Sequence, residues 1–274
     1  MTERLQDFGN DGPVVTVPWL QSHLGQTNVR LIDVRSATDY AAGHIPGAFH
    51  SDLHALVLAD SAPASIAAFD AALAAEIRRL GIQTGERVIF YEDFSGTSAA
   101  RGVWLLDYAG LGNGALLDGG LGAWQAAGGE LVRAAAVPTP STIELHPDRS
   151  VLATVDELAT PPRNGSPPLP LDTRNDVEYA AGTIPNSVHV EWSRHLRPDG
   201  TLRPPTELRA LYAAAGIEPA GDRDVVTFCG SGFRAAHSYV VLRALGVPRV
   251  KNYAPSWNEW GRRPDLPKSR PGIR

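Results

Sequence analysis

The sequence predicts an α/β protein with two tandem domains, each a parallel β-sheet with helices on both faces. Two observations lead to this fold class. The 274-residue chain contains one long internal repeat, and in each half short apolar runs alternate with longer segments of helical periodicity. Because strands that alternate with helices pair in parallel through crossover connections, both faces of each sheet are expected to be covered.

The repeat aligns residues 31–50 with residues 170–189 without a gap, at an offset of 170 − 31 = 139. A period of this length is a whole domain, since solenoid units repeat at ~20 to 50 residues. The identical positions are Asp33/Asp172, Arg35/Arg174, Tyr40/Tyr179, Ala41/Ala180, Ala42/Ala181, Gly43/Gly182, Ile45/Ile184, Pro46/Pro185 and His50/His189.

The join between the two halves is expected in a proline-containing stretch with little helical periodicity that begins at Arg133. We therefore predict a first domain over residues 1–137 and a second domain over residues 149–274. Residues 138–148 are predicted to form the linker.

In the first half, apolar runs predict buried strands at VRLID from Val29, RVIFY from Arg87 and GALLD from Gly114. Helical periodicity predicts helices at SIAAFDAALAAEIRRLG from Ser65 and AARGVWLLDYAGLG from Ala99. Each of these helices closes on a glycine, the residue that most readily adopts the left-handed conformation just after a helix.

In the second half, the predicted strands are LPLD from Leu169, DVVTFC from Asp224 and RVKNY from Arg249. The predicted helices are PPTELRALYAAAG from Pro204 and RAAHSYVVLRALG from Arg234. Ligands of such sheets bind beyond the carboxyl ends of the strands, so the loops that follow the strands are where a site is expected.

Composition excludes several classes of function. Lys and Arg total 25 against 30 Asp and Glu, and this net charge of -5 leaves no basic excess for a nucleic acid. One cysteine excludes an intramolecular disulfide, a CxxC pair and a cysteine zinc cluster, and favours a reducing compartment. The N-terminal segment lacks an apolar signal region, and no run of ~18 apolar residues occurs. We expect a cytoplasmic protein that binds neither nucleic acid nor membrane.

The single cysteine, Cys229, lies between a predicted strand and a predicted helix. Gly230 and Gly232 permit positive φ and leave backbone N–H groups unshielded, so the loop can direct several amides at one anion. A thiolate or a negatively charged sulfur adduct would be stabilised there. The alternative is a small buried hydrophobe at a strand end, as most free cysteines are.

The matching loop of the first half, FYEDFSGTSAARG, contains no cysteine. Counted from the shared strand, either Glu92 or Asp93 occupies the position of Cys229. The sequence therefore assigns the chemistry to the second domain and a supporting role to the first.

Four motifs together resemble the two-domain members of the rhodanese family of sulfurtransferases. They are GHIPGA at residues 43–48, LDGGLGAW at 117–124, CGSG at 229–232 and SWNEWG at 256–261. The resemblance implies an inactive first domain and an active second domain. It also implies a Cys229 that takes sulfane sulfur as a persulfide and passes it to cyanide or a thiol, without a metal or an organic cofactor. The implied partners are a small-molecule donor and acceptor, with a thioredoxin-like reductant as a further candidate.

The loop sequence leaves the sulfur donor open between 3-mercaptopyruvate and thiosulfate. CGSG resembles the 3-mercaptopyruvate enzymes, in which Ser231 would assist proton transfer; its alternative role is the N-cap of the following helix. Phe233 and Arg234 depart from both family patterns. Arg234 brings a fixed cation that would hold the sulfonate of thiosulfate or the carboxylate of mercaptopyruvate. We therefore predict a donor site built from Gly230, Gly232, Phe233 and Arg234.

Arg174 matches the family arginine that binds the anionic group of the donor, although its repeat partner Arg35 also fits a fold residue that pairs with an acid. The second carboxylate-binding arginine of the mercaptopyruvate enzymes has no counterpart. In the acidic segment after GHIPGA, Asp52 is retained and His54 replaces the second acid. His54 could transfer a proton across the domain cleft, or it could be an ordinary structural histidine.

The cysteine loop also allows two other functions. Phosphatases with a rhodanese-like fold use Cys-x5-Arg, whereas four residues separate Cys229 from Arg234 and Ala235 occupies the next position. The shorter loop disfavours a cysteine-dependent phosphatase or arsenate reductase. A non-catalytic sulfur carrier or binding module is disfavoured by the intact CGSG loop.

Overall fold

The computed structural model describes residues 8, 11–160, 166–218, 221 and 223–271. The first seven residues, on which part of the expectation about a signal segment rests, lie outside the described residues. The described chain forms two compact units. Unit 1 takes its residues from Met1–Leu56, Phe69–Asp148 and Leu196–Pro204, and unit 2 from Val57–Ala68, Arg149–His195 and Pro205–Arg274.

These units differ from the two continuous domains and the separate linker that the repeat predicts. Hydrogen bonds explain the difference. Within unit 2, Ser61 donates its amide and hydroxyl to the Glu259 carboxylate at 2.9 and 2.7 Å. Within unit 1, the Leu202 amide donates to Asp118 at 2.8 Å. Residues 138–148, the predicted linker, are counted with unit 1. A sequence pattern does not reveal such long-range contacts.

Unit 1 is built on a five-stranded, all-parallel sheet with the strand order β1-β5-β4-β2-β3. Its strands are β1 Val14–Val15, β2 Val29–Asp33, β3 Phe49–His50, β4 Arg87–Tyr91 and β5 Gly114–Leu117. The helices of the first half are α1 Val17–His23, α2 Ala37–Ala42, α3 Pro63–Arg79, α4 Thr97–Tyr108 and α5 Gly120–Ala126.

Unit 2 is built on a four-stranded, all-parallel sheet with the order β7-β6-β8-β9. Its strands are β6 Leu169–Asp172, β7 Val188–His189, β8 Val225–Phe228 and β9 Val250–Asn252. The helices of the second half are α6 Val155–Ala159, α7 Asp176–Ala181, α8 Pro205–Ala213, α9 Phe233–Ala244 and α10 Ser256–Trp260. Two parallel sheets flanked by helices confirm the predicted fold class.

Every predicted strand and helix is present, with ends that shift by a few residues. The short strands β1, β3 and β7 were not predicted, because two residues carry too little periodicity. None of the helices among the described residues is long and apolar enough to cross a membrane.

The repeat is also visible in the strand register. Asp33 pairs with Tyr91 between β2 and β4, and Asp172 pairs with Phe228 between β6 and β8. The residue after Tyr91 in unit 1 therefore occupies the same place in its sheet as the residue after Phe228 in unit 2. In β8 all four residues are buried, which is why this strand reads as a continuous apolar run.

A buried histidine pair links α9 to its neighbours in unit 2. Nδ1 of His195 lies 3.2 Å from Nδ1 of His237, and the Tyr212 hydroxyl lies 2.8 Å from Nε2 of His195. The two imidazole rings are stacked, with an interplanar angle of 6°. Burial lowers the pKa of His195 well below its ordinary value, and the charges of His237 and Arg194 lower it further. His195 is therefore neutral in the folded protein near neutral pH.

Acid is expected to destabilise unit 2 through His195. Because its folded-state pKa is depressed, this contribution to stability is present above the unfolded pKa of ~6.5 and is lost as the pH falls below that value. The loss approaches ~1.4 kcal/mol per pH unit for one group. Denaturant unfolding between about pH 7.5 and about pH 5 should show a shallower pH dependence for His195→Gln than for the parent.

Equal slopes for the parent and His195→Gln would contradict the assignment.

Candidate active site

Cys229 follows β8 directly and is 1% exposed. Gly232 is the N-cap of α9, so the residues from Cys229 to Gly232 form the connection between the strand and the helix. The repeated strand–helix order places this loop at the carboxyl end of a central strand of the sheet, where parallel sheets bind their ligands.

The backbone of the loop turns toward the sulfur. Gly232 has a φ of 86°, a left-handed conformation that favours glycine, and its amide donates to Sγ of Cys229 at 3.1 Å. Nδ2 of Asn252 donates to the Gly232 carbonyl at 3.2 Å and holds this residue from the side of β9. Gly230, in contrast, does not adopt a positive φ. One glycine of the CGSG motif is therefore required by conformation.

The amino end of α10 holds the other side of the loop. The amide of Trp257 donates to the Cys229 carbonyl, and the amide of Asn258 donates to the Gly230 carbonyl, both at 3.0 Å. These two bonds engage the carbonyl groups of the loop. These two carbonyls are thereby held away from the sulfur, toward which the Gly232 amide donates.

Ser256 completes this support and was missed by the sequence analysis. Its hydroxyl accepts the Cys229 amide at 3.0 Å and donates to the Tyr253 carbonyl at 2.7 Å. Its φ of 57° is in the left-handed region, which a residue with a Cβ adopts only at a cost. The repeat offers a signal, because Ser256 aligns with Gly120, whose φ is 54°. Unit 2 carries a serine where unit 1 carries the conformationally easier glycine.

Arg174 is committed to the fold. Its Nε and Nη2 donate to the Asp172 carboxylate, with the shortest contact at 2.5 Å, and Nη2 also donates to the Gly182 carbonyl at 2.6 Å. The guanidinium carbon lies 4.5 Å from the ring centre of Trp257. Nη1 makes no hydrogen bond to any of the described residues. Of the three guanidinium nitrogens, it is therefore the one that a sulfur-donor substrate could contact.

The same arrangement recurs in unit 1. Arg35 donates to the Asp33 carboxylate at 2.6 Å and to the Gly43 carbonyl at 2.7 Å. Since a unit without a cysteine keeps this pair, the interpretation of Arg174 as a fold residue accounts for its Nε and Nη2 contacts. A donor contact of Arg174 stays a prediction.

Arg234 lies against the cysteine loop. Its Nη1 and Nη2 donate to the two carboxylate oxygens of Glu178 at 2.6 and 2.8 Å. Nη2 lies 3.4 Å from the point that a Cβ on Gly230 would occupy. The hydrogen bonds to Glu178 raise the pKa of Arg234, and the negative charge of an ionised Cys229 contributes in the same direction. Glu178 was not singled out from the sequence, although it differs from its repeat partner Asp39.

The structure gives the burial and the helix position of Ser231 and Phe233, two further residues of the predicted active site. Ser231 is half-buried, and its hydroxyl makes no hydrogen bond to the described residues. It is not the N-cap of α9, because Gly232 holds that position without a side-chain bond. Phe233 is the first residue of α9 and is 9% exposed. A role for either residue toward a donor stays a prediction.

The loop of unit 1 shows which residue replaces the cysteine. The Glu92 carbonyl accepts the Leu121 amide at 2.7 Å, and the Asp93 carbonyl accepts the Gly122 amide at 2.9 Å. These bonds match those made by the carbonyls of Cys229 and Gly230. Glu92, rather than Asp93, therefore occupies the position of the cysteine.

The Glu92 carboxylate fills the anion position of its own loop. Its Oε1 accepts the amides of Ser98 and Ala99 in the first turn of α4, at 2.7 and 3.0 Å. A Cβ on Gly96 would lie 2.3 Å from this carboxyl group, so the chain closes tightly over it. Burial raises the pKa of Glu92 more than the two amides lower it. Unit 1 thus has neither a nucleophile nor an open anion position at this loop.

Asp52 and His54 have local contacts within unit 1. Oδ1 of Asp52 accepts the His54 amide at 3.0 Å and caps the short 3-10 turn Leu53–Ala55. Nε2 of His54 lies 3.4 Å from the Ser98 hydroxyl. The proton-transfer role of these residues stays a prediction. Among the described residues, no three His, Cys, Asp or Glu side chains cluster as metal ligands.

Substitutions at Ser256 should separate backbone strain from hydrogen bonding. Ser256→Ala keeps a Cβ in the left-handed region and leaves the buried Cys229 amide without its acceptor, at a cost of about 1–3 kcal/mol. Ser256→Gly loses the same hydroxyl but relieves about 1 kcal/mol of strain. Denaturant unfolding should rank the parent above the glycine variant and the glycine variant above the alanine variant. An alanine variant more stable than the glycine variant would contradict the strain argument.

Glu92→Gln should stabilise unit 1 at about pH 8 by on the order of 1 kcal/mol, because one amide oxygen can accept both hydrogen bonds while a half-buried charge is removed. The raised pKa means that the ionised carboxylate costs stability above that pKa. This cost vanishes as the pH falls toward the ordinary value of 4.5. Unfolding at about pH 5 should therefore show a smaller gain. Equal gains at both pH values would rule out the charge as the cause.

Comparison with known proteins finds the same kind of domain twice along the chain. The family model described as the rhodanese-like domain matches twice, at residues 16–127 and 154–263. A thiosulfate sulfurtransferase from Pseudomonas aeruginosa is 36% identical, over 94% of this chain and 97% of the relative. The sulfur carrier protein TtuD from Thermus thermophilus is 32% identical, over 90% and 93% of the two chains. The 3-mercaptopyruvate sulfurtransferase from Escherichia coli K12 is 30% identical, over 92% and 96%.

Among solved structures, SseA from Escherichia coli, described as a 3-mercaptopyruvate sulfotransferase with a rhodanese fold, superposes with a TM-score of 0.74. It is 25% identical to this chain, and the alignment covers 90% of this chain and 99% of SseA. Because the family model matches both halves and these relatives align along nearly their whole length, the chain belongs to the rhodanese family.

Proposed function

We propose that this protein is a sulfurtransferase that moves sulfane sulfur from thiosulfate or 3-mercaptopyruvate to cyanide or a thiol through a persulfide on Cys229. The observation that carries the proposal is the contact between the Gly232 amide and Sγ of Cys229, at 3.1 Å, in a loop where the carbonyls of Cys229 and Gly230 accept amides of α10. An N–H donor aimed at the sulfur stabilises the negative charge of a thiolate and of a persulfide.

The reaction has two half-reactions. In the first, the Cys229 thiolate attacks the outer sulfur of thiosulfate; a new S–S bond forms, the donor S–S bond breaks, and sulfite leaves with the electron pair. With 3-mercaptopyruvate the C–S bond breaks instead, and the carbon fragment leaves as an enolate that takes up a proton to become pyruvate. In the second, the acceptor attacks the terminal sulfur of the persulfide, and the Cys229 thiolate leaves unchanged. No net oxidation or reduction by an outside reagent is needed.

The positions of the residues around Cys229 suggest a role for each of them in sulfur transfer. Amides of Gly230 and Gly232 would hold the sulfur and the donor, and Arg234, beside the loop, would face the anionic end of the donor. Phe233 would border the donor, and Arg174 would reach it through Nη1. Ser231 is the hydroxyl in the loop that would carry the proton to the departing carbon of 3-mercaptopyruvate.

The single cysteine supports a reducing compartment, and we place the protein in the cytoplasm. A thioredoxin-like reductant would then be one natural thiol acceptor, since its dithiol can take up sulfur and release it as sulfide. Unit 1, with Glu92 in its loop, would be catalytically inactive. In domain terms, residues 1–137 would supply the inactive domain and residues 149–274 the active one, joined by residues 138–148.

A sulfur carrier is the second candidate, and the similarity to TtuD favours it over the phosphatase. A carrier would load Cys229 and release sulfur only to a partner protein, without turnover on small acceptors. The phosphatase reading is disfavoured by the four residues between Cys229 and Arg234 and by the pairing of Arg234 with Glu178.

Cys229→Ser should abolish sulfur transfer from both donors while the fold is retained, because the hydroxyl is a far weaker nucleophile at neutral pH. Steady-state assays with thiosulfate and with 3-mercaptopyruvate, side by side, measure this. Glu92→Gln is the matched control, since it alters the equivalent position of unit 1 and should keep turnover close to that of the parent. Retained turnover in Cys229→Ser would refute the proposal.

Mass spectrometry after exposure to donor separates the candidates. A gain of one sulfur atom on Cys229 that is removed by cyanide or a small thiol supports the enzyme. The same gain without release to small acceptors supports the carrier.

A further inference from the structure

Glu178 and Arg234 form a two-point ion pair beside the cysteine loop. The side chains are 35% and 28% exposed, so the pair lies at the surface of the loop rather than in the core. Both carboxylate oxygens of Glu178 are used, at 2.6 and 2.8 Å. Such a planar, two-bond contact fixes the guanidinium as well as its charge.

Glu178 is itself held in place by the amino end of α7. Its amide donates to Oδ1 of Asn175 at 2.9 Å, and its Oε2 accepts the Asn175 amide at 3.4 Å, which together make a capping box. The hydrogen bond from Arg234 lowers the pKa of Glu178, and the charge of Arg174 contributes to the same shift. Glu178 is therefore ionised at neutral pH and lies within the field of both arginines.

Unit 1 lacks this pair. The repeat aligns Glu178 with Asp39, whose carboxylate accepts the Ser36 hydroxyl at 2.5 Å. Counted from the N-cap glycine of each helix, the position of Arg234 in unit 1 is held by Ser98, which has no charge. The ion pair is thus present in the unit that carries the nucleophile and absent from the unit that does not.

Resting on the sulfur-transfer function proposed above, we propose that Glu178 is a specificity-determining residue that cancels the charge of Arg234. The Cys229 loop then presents hydrogen-bond donors with little net positive charge. A site of this kind selects against doubly charged donors such as thiosulfate in favour of singly charged donors such as 3-mercaptopyruvate. The chemical class that the site favours is a sulfur donor with a single carboxylate.

The physical reason is the low net charge of the loop surroundings. Asp172 balances Arg174, and Glu178 balances Arg234, so both of these arginines already have a counterion. An incoming dianion gains little long-range attraction and must give up more hydration than a monoanion does. Hydrogen bonds from backbone amides do not offset that difference, because thiosulfate and 3-mercaptopyruvate can both accept them.

Glu178→Gln tests this directly, because it removes the negative charge with almost no change in shape. In buffer of low ionic strength, the KM for thiosulfate should fall about threefold or more relative to that for 3-mercaptopyruvate. A fall in kcat/KM for both donors, as expected when Arg234 is merely misplaced, would overturn the proposal. Glu178→Asp keeps the charge and should keep the donor preference of the parent.

Alkylation of Cys229 gives a readout that does not depend on sulfur transfer. Iodoacetate and iodoacetamide alkylate a thiolate in the same way, but iodoacetate carries one negative charge more. The rate with iodoacetate divided by the rate with iodoacetamide therefore measures the electrostatic potential at the sulfur. Glu178→Gln should raise this ratio about threefold or more, and Arg234→Gln should lower it. The double variant should return to near the parent value. Asp39→Asn, the matched change in unit 1, should leave the ratio unchanged.

A ratio that is unchanged or lowered in Glu178→Gln overturns the charge assignment. A raised ratio in a protein that transfers no sulfur supports the charge assignment and refutes the proposed function, so the two failures are distinguishable.

Discussion

The buried contact between Asp172 and Arg174 is the interaction on which the rest of unit 2 depends. The guanidinium joins the end of β6 to the carbonyl of Gly182, which closes α7. It thereby fixes α7 against the sheet, and α7 carries Glu178 to Arg234 at the start of α9. A chain of charge contacts thus runs from a strand end to the cysteine loop. Asp172 and Arg174 are the buried members of this chain, and removing either one would leave an uncompensated charge in the core.

The two units show how one scaffold accommodates two chemistries at the same strand end. In both units the carbonyls of the first two loop residues accept amides from a short helix, which is α5 in unit 1 and α10 in unit 2. Both units also keep the Asp–Arg pair. They differ in what fills the loop. In unit 1 a carboxylate supplies its own negative charge to the amides of α4, whereas in unit 2 a sulfur atom faces the Gly232 amide. The scaffold therefore sets an anion-binding loop, and the side chain decides whether that loop is already occupied.

Much of this could be predicted from the sequence. The parallel sheets, the strand–helix order and the place of Cys229 follow from apolar runs of strand length, helical periodicity and a gapless repeat. The repeat also offered a fold role for Arg174 beside the predicted donor contact, and the contacts of Arg174 with Asp172 and Gly182 fit that fold role while the donor contact stays a prediction.

What could not be predicted depends on geometry across long sequence separations. The contacts of Ser61 with Glu259 and of Leu202 with Asp118 assign two segments to units that their sequence positions do not indicate. The positive φ of Ser256 has no signature in the local sequence, since serine occurs freely in other conformations. The pairing of Glu178 with Arg234 joins residues 56 positions apart, which no helical or strand periodicity relates.

The burial of Cys229 also bears on oxidative damage. At 1% exposure, Cys229 offers little surface to peroxide. Over-oxidation of cysteine proceeds through the exposed thiolate to acids that are not readily restored. The fold that positions the sulfur at the strand end therefore also limits the over-oxidation of the resting thiol.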